Sequence, residues 1–143
     1  MNAAKPTKSD IPEMSTSEAN EILADFQEQW NTGNVDSILE GFADDIVVDF
    51  ADLPRIEGKL ALKKFIRARL ARQKEYHLEK TLKGVVGSTI ICSWLANWVD
   101  RKTDKAMKGK GIEIIEIRER KCTYWEATFN AWPENEPHES LFT

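Results

Sequence analysis

Residues 111–132 read GIEIIEIRERKCTYWEATFNAW. Apolar and polar side chains alternate along this stretch, and β-branched and aromatic residues dominate it. Glu119-Arg120 is the place for a tight connection, which divides it into two strands, 106–118 and 121–132. Just upstream, TIICSWLANWVD over 89–100 has the same character, and 76–86 forms another such run before the break at Gly87-Ser88. Lys102-Thr103-Asp104-Lys105 is a polar turn. Strands this close in sequence pair antiparallel, because a parallel crossover needs about a dozen residues or more. The second half of the chain is therefore read as a four-stranded antiparallel meander.

Before Gln73 the hydrophobic period changes to about 3.6 residues. A first helix starts near Ser17, a candidate N-cap, and carries Ile22, Leu23, Phe26 and Trp30 at helical spacing. Gly33 suits the left-handed position that ends it. A second, short helix covers 35–42, a strand covers 46–50, and a third helix covers 59–73 with Leu62, Phe65, Ile66 and Leu70 inward. Ile56-Glu57-Gly58 reads as a turn. The expected architecture is α+β: one curved antiparallel sheet with three N-terminal helices packed on its concave face. Residues 1–16 are expected to form a flexible arm, 17–132 the domain, and 133–143 an acidic tail.

The chain has 143 residues, a length that supports one domain with a real core. Its net charge is −4, and much of that comes from Glu134, Glu136 and Glu139 in the tail. The near-neutral body argues against nucleic acid as a partner. No stretch approaches the roughly 18 apolar residues that span a bilayer. No secretory apolar segment stands at the N-terminus, so the expected location is cytoplasmic. Cys92 and Cys122 lack metal spacing and are expected to be reduced, packed thiols. Histidines are too sparse for a metal cluster, and there is no Gly-rich phosphate loop, so no metal and no cofactor are expected.

Several segments together resemble the nuclear-transport-factor-2-like superfamily, in particular its SnoaL-like group. They are Trp30-Asn31-Thr32-Gly33-Asn34, Phe42 to Val48, Glu57-Gly58 before a helix, Gly111 to Arg118, and Trp125 to Asn130. The resemblance implies a cone-shaped α+β fold with a deep pocket between sheet and helices. The superfamily includes ketosteroid isomerase, polyketide cyclases, scytalone dehydratase and limonene epoxide hydrolase. By that resemblance, the isomerase's first-helix tyrosine falls on Phe26, its strand aspartate on Phe50, and its protonated acid near Glu113. Two of the three positions thus carry other residue types.

The residues themselves offer a carboxylate constellation. With Glu119-Arg120 as a two-residue loop, Arg118 faces Lys121, Ile115 faces Tyr124 and Glu113 faces Glu126. Two carboxylates side by side in a pocket would share a proton, supplying an acid and a base at neutral pH; on a solvent face they would instead be a screened pair partnered by a base such as Lys108 or Lys110. Asp52, at the end of a strand beside Pro54, is a second candidate base, or else a turn-capping residue. Asn130 and Tyr124 are candidate hydrogen-bond donors to a ligand. Trp94, Trp98, Phe26, Trp30 and Phe50 are candidate apolar walls, or simply core. The basic run Lys63, Lys64, Arg67, Arg69, Arg72 and Lys74 reads as a solvated helix face, or as an anion-binding face for an acidic ligand.

Three functions follow as expectations. One is a cofactor-free isomerase, dehydratase, cyclase or hydratase acting on a small, mostly apolar molecule. Another is a non-catalytic ligand- or partner-binding domain, and the third a structural dimer. Both faces of the last strands carry large apolar side chains, which suggests a homodimer across the sheet face turned away from the helices.

Overall fold

The computed structural model describes residues 13–137. Most of the expected arm and the end of the expected tail lie outside the described residues. The elements are α1 (Thr16–Asn31), α2 (Val35–Leu39), β1 (Phe42–Phe50), β2 (Ile56–Glu57), α3 (Lys59–Arg72), β3 (Gln73–Val86), β4 (Thr89–Asp100), β5 (Ala106–Arg118), β6 (Lys121–Ala127) and β7 (Asn130–Pro133). The α+β class, the three helices and the antiparallel meander β3–β4–β5–β6 stand as expected.

Local chemistry accounts for the ends of the helices. Ser15, two residues before the expected serine, caps α1: its hydroxyl accepts from the Glu18 amide at 3.0 Å. Asn34 caps α2 in the same way, through the Ser37 amide at 3.0 Å. The α2 helix stops at Leu39 rather than 42, and Phe42 opens β1 instead. Ile56-Glu57, expected as a turn, pairs with β1 as a short strand.

The sheet runs β2-β1-β6-β5-β4-β3, with β7 pairing onto β5. Its one parallel contact joins β1 to β6, so the sheet is mixed; β1 arrives over the helical half and not by a hairpin. β3 is an edge strand, and α1 covers part of its free edge. Asn31 bonds both the amide of Leu78, at 2.7 Å, and its carbonyl, at 2.9 Å; Gln27 accepts from the Lys80 amide at 2.8 Å.

The β5–β6 hairpin decides the site. Its turn is the expected pair Glu119-Arg120, both left-handed, with φ of 52° and 62°. Arg118 faces Lys121 and Ile117 faces Cys122, as the two-residue loop requires. Thr123 then bulges, so Glu116 faces Tyr124, Ile114 faces Glu126 and Glu113 faces Ala127. From Tyr124 onward every side chain is on the opposite face from the one expected.

The core fills the concave side. Ile22, Leu62, Ile66, Ile46, Ile90 and Val48 are fully buried where helices meet sheet. Gly111 permits the closest approach of aromatic to strand: a Cβ there would lie 2.6 Å from Trp94 Nε1.

Candidate active site

Row by row, the strands carry a buried ion pair to the middle of the concave face. On β3, Tyr76, Leu78, Lys80 and Leu82 share one side. Trp94 of β4 stands opposite Lys80, and Cys92 of β4 stands opposite Glu113 of β5. Lys80 and Glu113 therefore meet diagonally across the intervening strand. Both side chains are only 4% exposed, and the Lys80 ammonium donates to Glu113 Oε2. Cys92 Sγ lies 3.3 Å from the same oxygen, and Trp125 Nε1 donates to Oε1 at 3.2 Å.

A buried carboxylate needs such partners, because an unpaired one would lose its hydration without compensation. Burial acts most strongly and lowers the Lys80 pKa, but the Glu113 carboxylate together with Cys92 and Tyr76 outweighs it, and the net shift is upward. Lys80 thus stays an ammonium at neutral pH. Burial, reinforced by Glu113, pushes the Cys92 thiol up, so it is a proton-bearing thiol and not a nucleophile. Cys122, also free and buried, is pushed up chiefly by burial, as the reading of packed thiols anticipated.

Aromatic rings surround the pair. Trp30 and Phe50 pack on Trp125 with centroids 5.9 and 5.3 Å away. Trp94 and Trp98 point the same way and meet Phe129 at 5.3 and 6.0 Å. Burial raises the Tyr76 phenol above its usual pKa, keeping it a neutral donor. Arg69 enters from α3 with its guanidinium over this cluster. Two small cavities remain, of about 20 Å³ and about 10 Å³. Each has room for roughly one water, since one probe sphere occupies about 10–15 Å³. The expected deep pocket is thus closed by its own rings in this conformation.

Of the carboxylates expected here, Glu113 alone reaches the interior. Glu126 is exposed on the outer face, so the shared-proton pair does not form; the Thr123 bulge is the physical reason. Tyr124 turns outward too, its hydroxyl 2.7 Å from Asp49 and 3.0 Å from Glu126. Arg55 closes that outer cluster on Asp49 at 2.7 Å. Asp52 is exposed in the turn after β1, and Asn130 is exposed on β7, so neither lines the interior cavities. Phe26, Trp30, Phe50, Trp94 and Trp98 are all buried and face the interior.

From sequence, Lys80 and Tyr76 are not singled out as site residues, and Arg69 is read only as one member of a basic run, although signals for Lys80 and Arg69 are present. Lys80 interrupts the row Tyr76, Leu78, Leu82 at the right parity. Arg69 continues the inward helical stripe of Leu62, Phe65 and Ile66. The remaining basic residues divide between surface ion pairs, such as Lys63 with Asp36 at 3.4 Å, and open solvent. Among the described residues, no three His, Cys, Asp or Glu side chains converge as metal ligands. No helix there is long and apolar enough to cross a membrane.

Residues 23–125 match the SnoaL-like domain family, and the chain belongs to it. No curated relative matches the sequence significantly. Among solved structures, a Bacillus subtilis protein provisionally named an isomerase is similar at 22% identity. The match covers 82% of this chain and 90% of that one, with a TM-score of 0.72. A Xanthomonas campestris pv. campestris protein provisionally named a polyketide cyclase matches at 18% identity over 78% and 90%, TM-score 0.70. An M. tuberculosis epoxide hydrolase of the LEH-like type matches at 17% identity over 80% and 84%, TM-score 0.63. At these identities the likeness shows the fold alone.

Proposed function

We propose that the protein binds a small, mostly apolar organic molecule inside the cone and moves a proton on it, as an isomerase, dehydratase, cyclase or hydratase. The observation that carries this reading is the buried Glu113–Lys80 pair at the floor of an aromatic interior. The activities named for the structural neighbours support the same class.

Glu113 serves as the base: its carboxylate takes a proton from a carbon acid, or from water, and returns it elsewhere on the product. Negative charge gathering on the substrate oxygen is met by the Lys80 ammonium and the Tyr76 hydroxyl, which exchange their present contacts for it. The protein side chains supply both roles, so no cofactor is required. Entry requires the ring cluster to part, because the cavities are water-sized. A homodimer belongs to this reading as well. Leu95 and Ile112 are 58% and 57% exposed on the outer face of β4 and β5, where a second copy would cover them. Light scattering reporting a monomer at high micromolar concentration counts against the dimer.

The test is deuterium incorporation, followed by proton NMR in D₂O, across cyclic β,γ-unsaturated ketones and β-diketones. Glu113→Asp keeps the charge and shortens the reach, and Lys80→Met/Glu113→Gln removes the pair without stranding a charge. Wild-type exchange should fall by roughly 10²–10⁴-fold in both variants. Exchange that survives the double variant sinks the catalytic reading. One observation favours a non-catalytic ligand-binding domain instead: both Glu113 oxygens are already occupied. Ligands that bind equally well to wild type and the double variant, with no exchange in either, decide for it.

A further inference from the structure

We infer that the ligand carries a carboxylate and that Arg69 is the residue that selects it. This rests on the ligand-binding reading above and names the substrate class for that same interior.

Arg69 differs from the other arginines. Arg55, Arg72, Arg118 and Arg120 each have an acidic partner within 4.0 Å. Arg67 and Arg101 stand exposed in solvent. Arg69 is half-buried, and among the described residues no carboxylate pairs with it. Its contacts are the neutral Gln73 Oε1 and the Tyr76 hydroxyl, each at a long 3.4 Å. A guanidinium has five N–H donors in a planar fork, so most of its capacity is unused. The rings of Phe50, Trp30, Tyr76, Phe129 and Phe65 lie 5.1–5.8 Å from its centre. Those π-faces tolerate the cation while no anion is present.

Trp94 also lines this cavity, and its Nε1, packed against the Gly111 backbone, is a second buried donor with no acceptor among the described residues. The only carboxylate lining it, Glu113, is already neutralised by Lys80. The interior thus holds an excess of one positive charge and of hydrogen-bond donors. Its complement is an anion that only accepts hydrogen bonds, on a flat apolar body that fits between rings. A carboxylate meets the guanidinium fork with two parallel bonds, which a neutral carbonyl cannot do. Phe129 packs its ring against the Arg69 guanidinium. It lies in the two-residue gap between β6 and β7, outside the strand ladder, with its ring over Arg69, Trp94 and Trp98.

The probes are 2-naphthoate and its uncharged partner 2-naphthamide, titrated calorimetrically into the full chain. The acid should bind at least about tenfold tighter, the scale of one charge-assisted hydrogen bond. That preference should vanish in Arg69→Gln and return in part in Arg69→Lys, which restores charge without the fork. Phe129→Ala should tighten both probes and keep the preference. Should Arg69→Gln fail to fold, Arg69→Lys decides, because a full preference there excludes the fork. An amide that binds wild type as well as the acid overturns the inference. So does a preference that survives Arg69→Gln, or binding of neither probe to wild type and Phe129→Ala. The Lys80→Met/Glu113→Gln variant should lose deuterium exchange yet keep the acid preference, so the two readings fail separately.

Discussion

Glu113 and Glu126 sit on neighbouring strands, carry the same group, and have nearly opposite surroundings. Glu113 is 4% exposed, with an ammonium, an indole and a thiol on its two oxygens. Glu126 is exposed on the other face and touches the Tyr124 hydroxyl at the edge of an Asp49–Arg55 ion pair. Water screens the outer cluster, so its ion pairs contribute little and its like charges cost little. The inner pair has lost its water, and each member depends on the other. One extra residue, Thr123, sends the two glutamates to these different fates.

The largest effect should come from unbalancing the inner pair. Glu113→Gln leaves the Lys80 ammonium buried without its counter-charge and should cost about 3–5 kcal/mol in urea unfolding, most of it recovered in Lys80→Met/Glu113→Gln. A loss below about 1 kcal/mol would erase the contrast with the outer cluster. Because the Lys80 pKa is raised, its contribution is complete below the unfolded value of about 10.4 and disappears as pH rises through the higher folded value. The pH dependence of stability should therefore match between wild type and the double variant below about 10.4 and diverge above it, where wild type alone loses this contribution.

Trp125→Phe comes next. It removes the donor to Glu113 Oε1 and should cost about 1.5–3 kcal/mol, the range for a hydrogen bond to a charged group. Thermal denaturation indistinguishable from wild type would show that this oxygen does not need the indole.

A third cluster lies between the two extremes. Asp100 is held at a pKa of about 2, first by Arg72 and then by Thr103, and ties the end of α3 to the β4–β5 turn. Its stabilising contribution is present above the unfolded value of about 3.9 and is lost as pH falls towards 2. Asp100→Asn should remove this part of the acid-unfolding curve followed by circular dichroism. An unchanged curve would assign the acid limb to other carboxylates.

The smallest effect is expected outside. Glu126→Gln should change stability by no more than about 0.5 kcal/mol, read from the same urea titration. A larger loss would mean that the outer face is covered, which would sharpen the case for a second copy there.

The sequence by itself determined the architecture: the period change near residue 75 separated helices from meander, and Glu119-Arg120 marked the hairpin. It also carried the inward rows that hold Lys80 and Arg69. A charged residue on an apolar row is easily assigned to solvent, because nothing in one strand says whether a partner waits across the sheet. The tertiary structure alone decided which carboxylate is inside. A bulge depends on how two twisted strands fit while burying Trp125 against Trp30 and Phe50, and a shift of one residue reverses the face of all that follows. Periodicity specifies alternation, but only packing against the helices specifies which phase of it faces the core.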